Sequence, residues 1–328
     1  MATGCSRMAK FSRLILAIFA ETKFKSMKIV LTGSISNIGK PLVKELVDKG
    51  HLVTVISSNE ERTPEIKALG AEAAIGKMQD ALFLTRTFQG ADIVYLMETM
   101  DAAGGDLSGQ DVDFIGVINQ IGHNYKEAVE KSGVKKIVHL SSIGAHMEKD
   151  NGILIFHHNV ENILRQLLDG IVIKTLRPVG FYTNMFGFIN TIRNQGSIIS
   201  NYGGDQKEPW VSPVDIASVI AEEMEKPFEG RTLRYIASDE ISPNEIAKAL
   251  GKAIGIPDLQ WKVISDEQLL SKWLGIGFNP QVARGFVEMQ ASQGNGKLYE
   301  DYYRNLPVLG KVKLVDFAQQ FAAAYNEA

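Results

Sequence analysis

The chain has 328 residues, 45% of them apolar and 22% charged, an ordinary globular mix long enough for one large or two modest domains. Lys and Arg number 35 against 38 Asp and Glu; the net charge of −3 offers no broad cationic field for phosphate backbones, so nucleic acid is not an expected partner. The lone cysteine, Cys5, can neither close an intramolecular disulfide nor build a cysteine zinc site, which fits a reducing cytosol, the expected cytoplasmic location, or simple indifference to redox state, and no run reaches the roughly 18 apolar residues of a membrane span.

Residues 1–26 differ from the rest. They carry Arg7, Lys10, Arg13, Lys23 and Lys25 against Glu21 alone, a charge of +4, which leaves 30 basic and 37 acidic residues, or −7, for the remainder. Met8, Phe11, Leu14, Ile15, Ile18 and Phe19 recur at helical spacing, as in an amphipathic helix that rests on a membrane surface or a partner. The apolar run from Leu14 to Ala20 is at the short limit of a secretory signal. Met27 directly before the first strand favours a third reading, a non-native or misassigned leader with the domain starting at 27.

From there the pattern alternates. A β-branched run, Lys28 to Thr32, precedes a glycine-containing turn and a helical stretch, Ile38 to Lys49, stopped by Gly50. Further strands are expected at Leu52 to Ser57, weakly at Ala71 to Ile75, and at Asp92 to Met97, Lys136 to Ser141 and Ile171 to Arg177; helices are expected at Glu60 to Leu69, Asp111 to Ser132 and His157 to Asp169. Repeated strand and helix units with apolar strands imply a doubly wound α/β fold, a parallel sheet covered on both faces. After about residue 178 helical stretches dominate, at Pro213 to Lys226, Pro243 to Ile254, Asp266 to Leu274, Pro280 to Gln293 and Leu314 to Asn326. The expected organisation is a nucleotide-binding domain over 27–178 and a smaller, mainly helical substrate-side region over 179–328, packed on the first.

The turn after the first strand reads Thr32-Gly33-Ser34-Ile35-Ser36-Asn37-Ile38-Gly39-Lys40. In a dinucleotide site, glycines there allow the tight turn, the close approach of the pyrophosphate and the packing of helix on sheet, while the helix N-terminus presents free N–H groups. Gly33 and Gly39 match the first and last roles, and Ser36 stands where the middle glycine is expected. The second strand ends Ser57-Ser58-Asn59 with Arg62 nearby and no carboxylate in the first positions; with Lys40 these groups suit a 2′-phosphate, so NADP(H) is favoured over NAD(H), although Glu60 and Glu61 argue the other way. Ser141, at the end of the fifth strand, is placed to meet the nicotinamide ribose. Ser212-Pro213-Val214-Asp215 reads as a capping box, which explains Asp215 by helix initiation. The glycine-rich segment from Met100 to Gly109 reads as a loop over the cleft, and no metal-ligand spacing stands out.

The turn resembles that of NmrA-like proteins, an atypical group of short-chain dehydrogenases/reductases. Thr175-Leu176-Arg177-Pro178, continuing to Phe181 and Asn184, is similar to their "TLRP…F…N" segment, and Trp210 to Ala217 to their "V…DIA" helix start. The resemblance spans most of residues 27–328. It implies a Rossmann-like fold, a bound nicotinamide nucleotide held by Thr32, Gly33, Ser36 to Gly39, Ser57 to Asn59, Arg62, Ser141 and Pro178, and one of several roles, because the group includes quinone and dye reductases, phenylpropanoid reductases and proteins that only sense the cofactor.

Alcohol-oxidising members of the wider family use a Tyr four residues before a Lys. No Tyr here has a Lys at that spacing, and by resemblance Ile153 and His157 fall at the two positions. A quinone-like or other conjugated acceptor asks less: hydride delivery at close range and a proton from water or a weak acid. Phe181, Tyr182, Asn184 and Trp210 are candidates for the acceptor pocket, and Tyr182, His157 and His158 for hydrogen bonds to the acceptor oxygen. The alternative is a non-catalytic NAD(P)(H) sensor that controls a protein partner.

Overall fold

The computed structural model describes residues 26–104, 108–109 and 111–327. The expected leader helix and residues 105–107 of the expected loop lie outside the described residues. Strand β1 (Lys28–Leu31) is buried at three of its four positions. Helix α1 (Gly39–Asp48) buries Gly39, Leu42, Val43 and Leu46, one face at spacings of three, four and seven. It ends in a Schellman motif, in which His51 N–H donates to the Leu46 carbonyl and Gly50 N–H to that of Val47.

The alternation continues through β2 (Leu52–Ser57), α2 (Thr63–Ala68), β3 (Glu72–Ile75), α3 (Ala81–Phe88), β4 (Ile93–Met97), α4 (Phe114–Ser132), β5 (Lys136–Leu140), α5 (Ile155–Arg165) and β6 (Val172–Pro178). Then follow β7 (Gly180–Phe181), α6 (Ile189–Gln195), β8 (Ser197–Ser200), β9 (Glu208–Val211), α7 (Pro213–Glu225), β10 (Arg231–Ile236), β11 (Asp239–Ile241), α8 (Pro243–Ala253), β12 (Gln260–Val263), α9 (Asp266–Gly275), α10 (Pro280–Gly294), α11 (Glu300–Arg304) and α12 (Leu314–Glu327).

The main sheet is parallel throughout, in the order β10-β6-β5-β4-β1-β2-β3. This is a doubly wound, Rossmann-like α/β fold. The chain reverses its direction across the sheet between β1 and β4, the place where such folds bind nucleotides. One face packs under α1 and α7, with Leu42, Leu46, Ile216 and Ile220 in one core; the other packs under α3, α4 and α5, with Leu84, Ile121, Tyr125 and Val160 in a second. A third core, around Tyr182, Trp210, Trp261, Phe317 and Phe321, belongs to the later residues.

Four features depart from the sequence reading, the first being helix α3 (Ala81–Phe88), where no helix was expected. The sheet does not end at residue 178: β10, more than fifty positions on, pairs with β6 from Arg231↔Ile173 to Ile236↔Pro178. Its first three residues are exposed, so it carries no continuous apolar run to betray it. The later region also holds two small sheets, β11-β9-β7 and β12-β8, beside its helices. Finally, Ser212 caps α7 through Val214 N–H, but Asp215 does not complete a capping box. Its carboxylate instead accepts from Ser238 Oγ at 2.6 Å and Val312 N–H at 3.0 Å.

Helix α10 bears directly on the turn that opens α5. A Cβ on Gly152 would lie 1.9 Å from the Gly285 carbonyl oxygen, so the two backbones touch. Ile153 is sealed beneath, 2% exposed, with Phe286 and Met289 packed against its core.

Candidate functional site

The cleft lies at the C-terminal ends of β1 to β4. Gly33 has φ +85 and Ser34 φ +58, so the chain leaves β1 through two successive left-handed residues. For Gly33 this conformation is easy; for Ser34 it is strained and is held by contacts. Ser34 N–H donates to the Ile56 carbonyl, Ser34 Oγ to Ser57 Oγ at 3.1 Å, and Arg62 Nη1 to Ser34 Oγ at 3.3 Å. Ser36, which stands where the middle glycine is expected, is two positions beyond this left-handed serine.

Neither glycine tolerates a side chain. A Cβ on Gly33 would sit 2.2 Å from Met97 Sδ, and one on Gly39 would sit 2.0 Å from the Ser34 carbonyl oxygen. Helix α1 has Ile38 as its N-cap and no side-chain cap, so its first N–H groups have no side-chain partner. Such an end, with its positive dipole, is the usual seat of a pyrophosphate.

Two connected spaces adjoin this turn. One, of about 390 Å³, is lined by Gly33, Ser34, Ser36, Ser57 to Asn59, Arg62, the segment 76–79 after β3, and Thr99, Asp101, Ala102 and Gly104 after β4. The other, an open groove of about 550 Å³, is lined by Ile35, Ser36, Asn37, Lys40, Pro41, Arg62 and Glu65. Ser36 and Arg62 border both. Lys40, expected to assist Arg62, is paired instead with Glu65 at 2.8 Å. Lining residues 76–79 and Thr99 escaped the sequence reading, which took Asp101, Ala102 and Gly104 only as part of a loop over the cleft; their position just past the ends of β3 and β4 is the signal that locates them. Gln79 Nε2 donates to the Ala102 carbonyl, joining the two loops across the cleft.

Several expected ligand groups turn out to be engaged within the protein. Thr32 Oγ1 accepts from Met97 N–H at 2.9 Å and donates to the Tyr95 carbonyl, stitching β1 to β4. Ser57 Oγ accepts from Asn59 N–H, and Asn59 Oδ1 accepts from Glu61 N–H. Ser141 Oγ donates to Glu161 at 2.6 Å, inside a buried network in which Arg177 grips both Glu161 oxygens at 2.7 and 2.8 Å and reaches Asp301 at 3.0 Å. Burial opposes ionisation of Glu161, but the Arg177 guanidinium outweighs it and holds the carboxyl below its usual range. Pro178 contributes its carbonyl to Ile143 N–H at 2.8 Å.

The expected acceptor residues do not gather in the cleft. Tyr182 is fully buried, stacked on Phe317 at 5.4 Å, and its hydroxyl has no partner; burial keeps the phenol protonated far above neutrality. Trp210 is buried and donates Nε1 to Glu208. Phe181 is half-buried in β7 and Asn184 is exposed on the following turn. His158 is occupied on both nitrogens, by the Ala145 carbonyl at 3.0 Å and by Asn162 at 2.7 Å. His157 differs: its Nδ1 is buried without a partner and faces the Glu98 carboxylate 3.8 Å away. Burial pushes His157 down to about 3, with the nearby charges of His139 and Arg177 adding to the effect, so it is a neutral imidazole.

A model of the NmrA-like family matches residues 25–321. The chain belongs to the NmrA-like family. Among its relatives is an uncharacterized protein of Schizosaccharomyces pombe, 24% identical over 250 residues, which are 70% of this chain and 82% of that one. Solved folds similar to it include the NADPH-dependent quinone oxidoreductase of Escherichia coli complexed with NADPH, 20% identical, TM-score 0.72, over 89% of this chain and 99% of that one. The triphenylmethane reductase of Citrobacter sp. complexed with NADP(H) is 18% identical, TM-score 0.67, over the same shares of the two chains. Among the described residues, no cluster of three His, Cys, Asp or Glu could hold a metal ion, and no helix is long and apolar enough to cross a membrane.

Proposed function

We propose that this protein is an NADPH-dependent reductase of quinone-like or other conjugated small molecules, working in the cytoplasm. The observation that carries this reading is the cradle between β1 and α1, where no Cβ fits at Gly33 or Gly39, an uncapped helix end lies at the cleft, and Arg62 borders it. In it the N–H groups of residues 36–39 would hold the pyrophosphate. Arg62, with Ser58 and Asn59, would hold the adenosine ribose and its 2′-phosphate, which favours NADP(H) over NAD(H). The nucleotide, when bound, supplies a hydride. The chain's part is to orient the acceptor, exclude water and settle one proton, and neither a Tyr nor a Lys is needed for an acceptor whose product anion is weakly basic. The names of the two solved neighbours agree with this class of reaction. Titration with NADPH and NADH, followed by NADPH oxidation against a panel of quinones and dyes, tests the reading; nucleotide binding without turnover of any acceptor refutes it.

One observation favours a second reading, a nucleotide sensor that acts on a protein partner. The residue at the family's Tyr position, Ile153, is covered by α10 rather than open to a substrate. A sensor must bind NADP⁺ and NADPH with different affinities, because equal affinities shift no equilibrium. Calorimetry with both forms decides it.

A further inference from the structure

Beyond the cleft, a cluster of three titratable groups lies buried where β4 and β5 meet α5. Glu98, the first residue after β4, alternates in register with Val94 and Leu96, so its side chain points under α4 and α5, as does that of His139 on β5. His139 Nε2 stands 3.2 Å from both Glu98 oxygens, and both side chains are essentially inaccessible. The third member is His157, whose unpartnered Nδ1 faces Glu98 and whose ring keeps 12% exposure. The next residue along from Glu98, Thr99, lines the nucleotide cleft. A desolvated ion pair is a poor way to stabilise a fold, since hydrophobic replacement of such pairs is often neutral or better. Its position beside a binding cleft instead marks a functional group.

We propose that Glu98 and His139 form a buried proton store that acts through His157 on the oxygen of the reduced acceptor. This inference rests on the reductase reading. An acceptor that has received a hydride at one end of its conjugated system carries the electron pair as an oxyanion at the other. His157 donates its Nε2 proton to that oxygen, and its free Nδ1 takes the proton shared by His139 and Glu98. The pair, one proton short, is refilled from solvent through His157, the one partly exposed member, so the step consumes one hydride and one proton and balances.

The surrounding groups suit this role. Burial opposes charge on His139, but the Glu98 carboxylate outweighs it and raises its pKa; Glu161 on α5 adds to the rise and Arg177 on β6 works against it. Tyr125 on α4, and Tyr95 from the opposite face of β4, feel the same carboxylate, and burial first, then Glu98, keep both phenols protonated. The 3.8 Å gap between Glu98 and His157 closes by a few tenths of an ångström to become a hydrogen bond, as catalytic contacts tighten when a site fills.

Histidine side-chain nitrogen NMR on the free full-length protein gives the first test. At neutral pH His139 is expected to be doubly protonated and His157 neutral, and Glu98→Gln to return His139 to the neutral form. A neutral His139 in the unaltered protein overturns the proposal whatever the turnover. In quinone-dependent NADPH oxidation, Glu98→Gln and His139→Gln are expected to lower kcat at least tenfold, with KM for NADPH within twofold, and to change the solvent deuterium effect. The paired change Glu98→Met with His139→Leu removes both charges together, and is expected to fold and still lose kcat. Full turnover with unchanged pH profile in these variants overturns the proton store and leaves the reductase standing. No turnover by the unaltered protein removes the reductase reading itself.

Discussion

Glu208 supplies a measurable link between one buried carboxyl and the stability of the later region. Its Oε1 accepts from Trp210 Nε1 at 3.2 Å and Tyr202 OH at 3.3 Å, and its Oε2 from Tyr299 OH at 2.7 Å. Despite these donors, burial pushes the carboxyl up from 4.5 to about 7. A raised carboxyl favours the neutral form in the folded protein. Its contribution to stability is therefore complete below about pH 4.5 and is lost as the pH rises through about 7. At about 1.36 kcal/mol per pH unit, the gap amounts to about 3 kcal/mol. Glu208→Gln leaves a neutral side chain at every pH and costs about 1 kcal/mol for the amide N–H₂ that then meets Tyr299 OH. Urea unfolding of both proteins from pH 4 to pH 8.5 is the assay. The variant is expected to be the less stable at pH 4 and the more stable at pH 8.5, with stabilities that cross near pH 5 and thermal midpoints that cross with them, since 1 kcal/mol moves the midpoint of a chain this size by on the order of 2 °C. Parallel pH profiles for the two proteins would refute the assignment of this titration to Glu208.

Three further outcomes are expected. Arg62→Ala should weaken NADPH binding about 10- to 100-fold, the loss of one charged hydrogen-bonding group, and leave NADH within about twofold; fluorescence titration reads both, and equal losses would remove Arg62 from the 2′-phosphate. Gly39→Ala forces a Cβ to within 2.0 Å of the Ser34 carbonyl, so nucleotide binding should be lost by calorimetry while circular dichroism keeps the α/β signature; retained binding would place the pyrophosphate elsewhere. Glu161→Gln leaves Arg177 buried without its bidentate partner and should cost about 3–5 kcal/mol in urea unfolding, with a loss under about 1 kcal/mol showing that Asp301 alone holds the guanidinium.

The order of strands up to β6 and of the helices between them except α3, the stripe of α1 and its glycine stop, and the turn that forms the cleft were legible because each is written within about ten consecutive residues, in periodicity and turn chemistry that act locally. What the tertiary structure decided joins residues far apart in the chain. β10 becomes a sheet strand only through its pairing with β6 and shows three exposed residues in a row. Asp215 looks like half of a capping box until Ser238 and Val312 are brought to it. Tyr182 and Trp210 sit in the right segment for an acceptor pocket, yet packing against Phe317 and Glu208 draws them inward, because a large aromatic surface gains more from a core than from a wet cleft. Glu98, His139 and His157 are separated by 41 and 18 residues, and no spacing rule predicts that the crossover of β4, β5 and α5 will close them into one cluster.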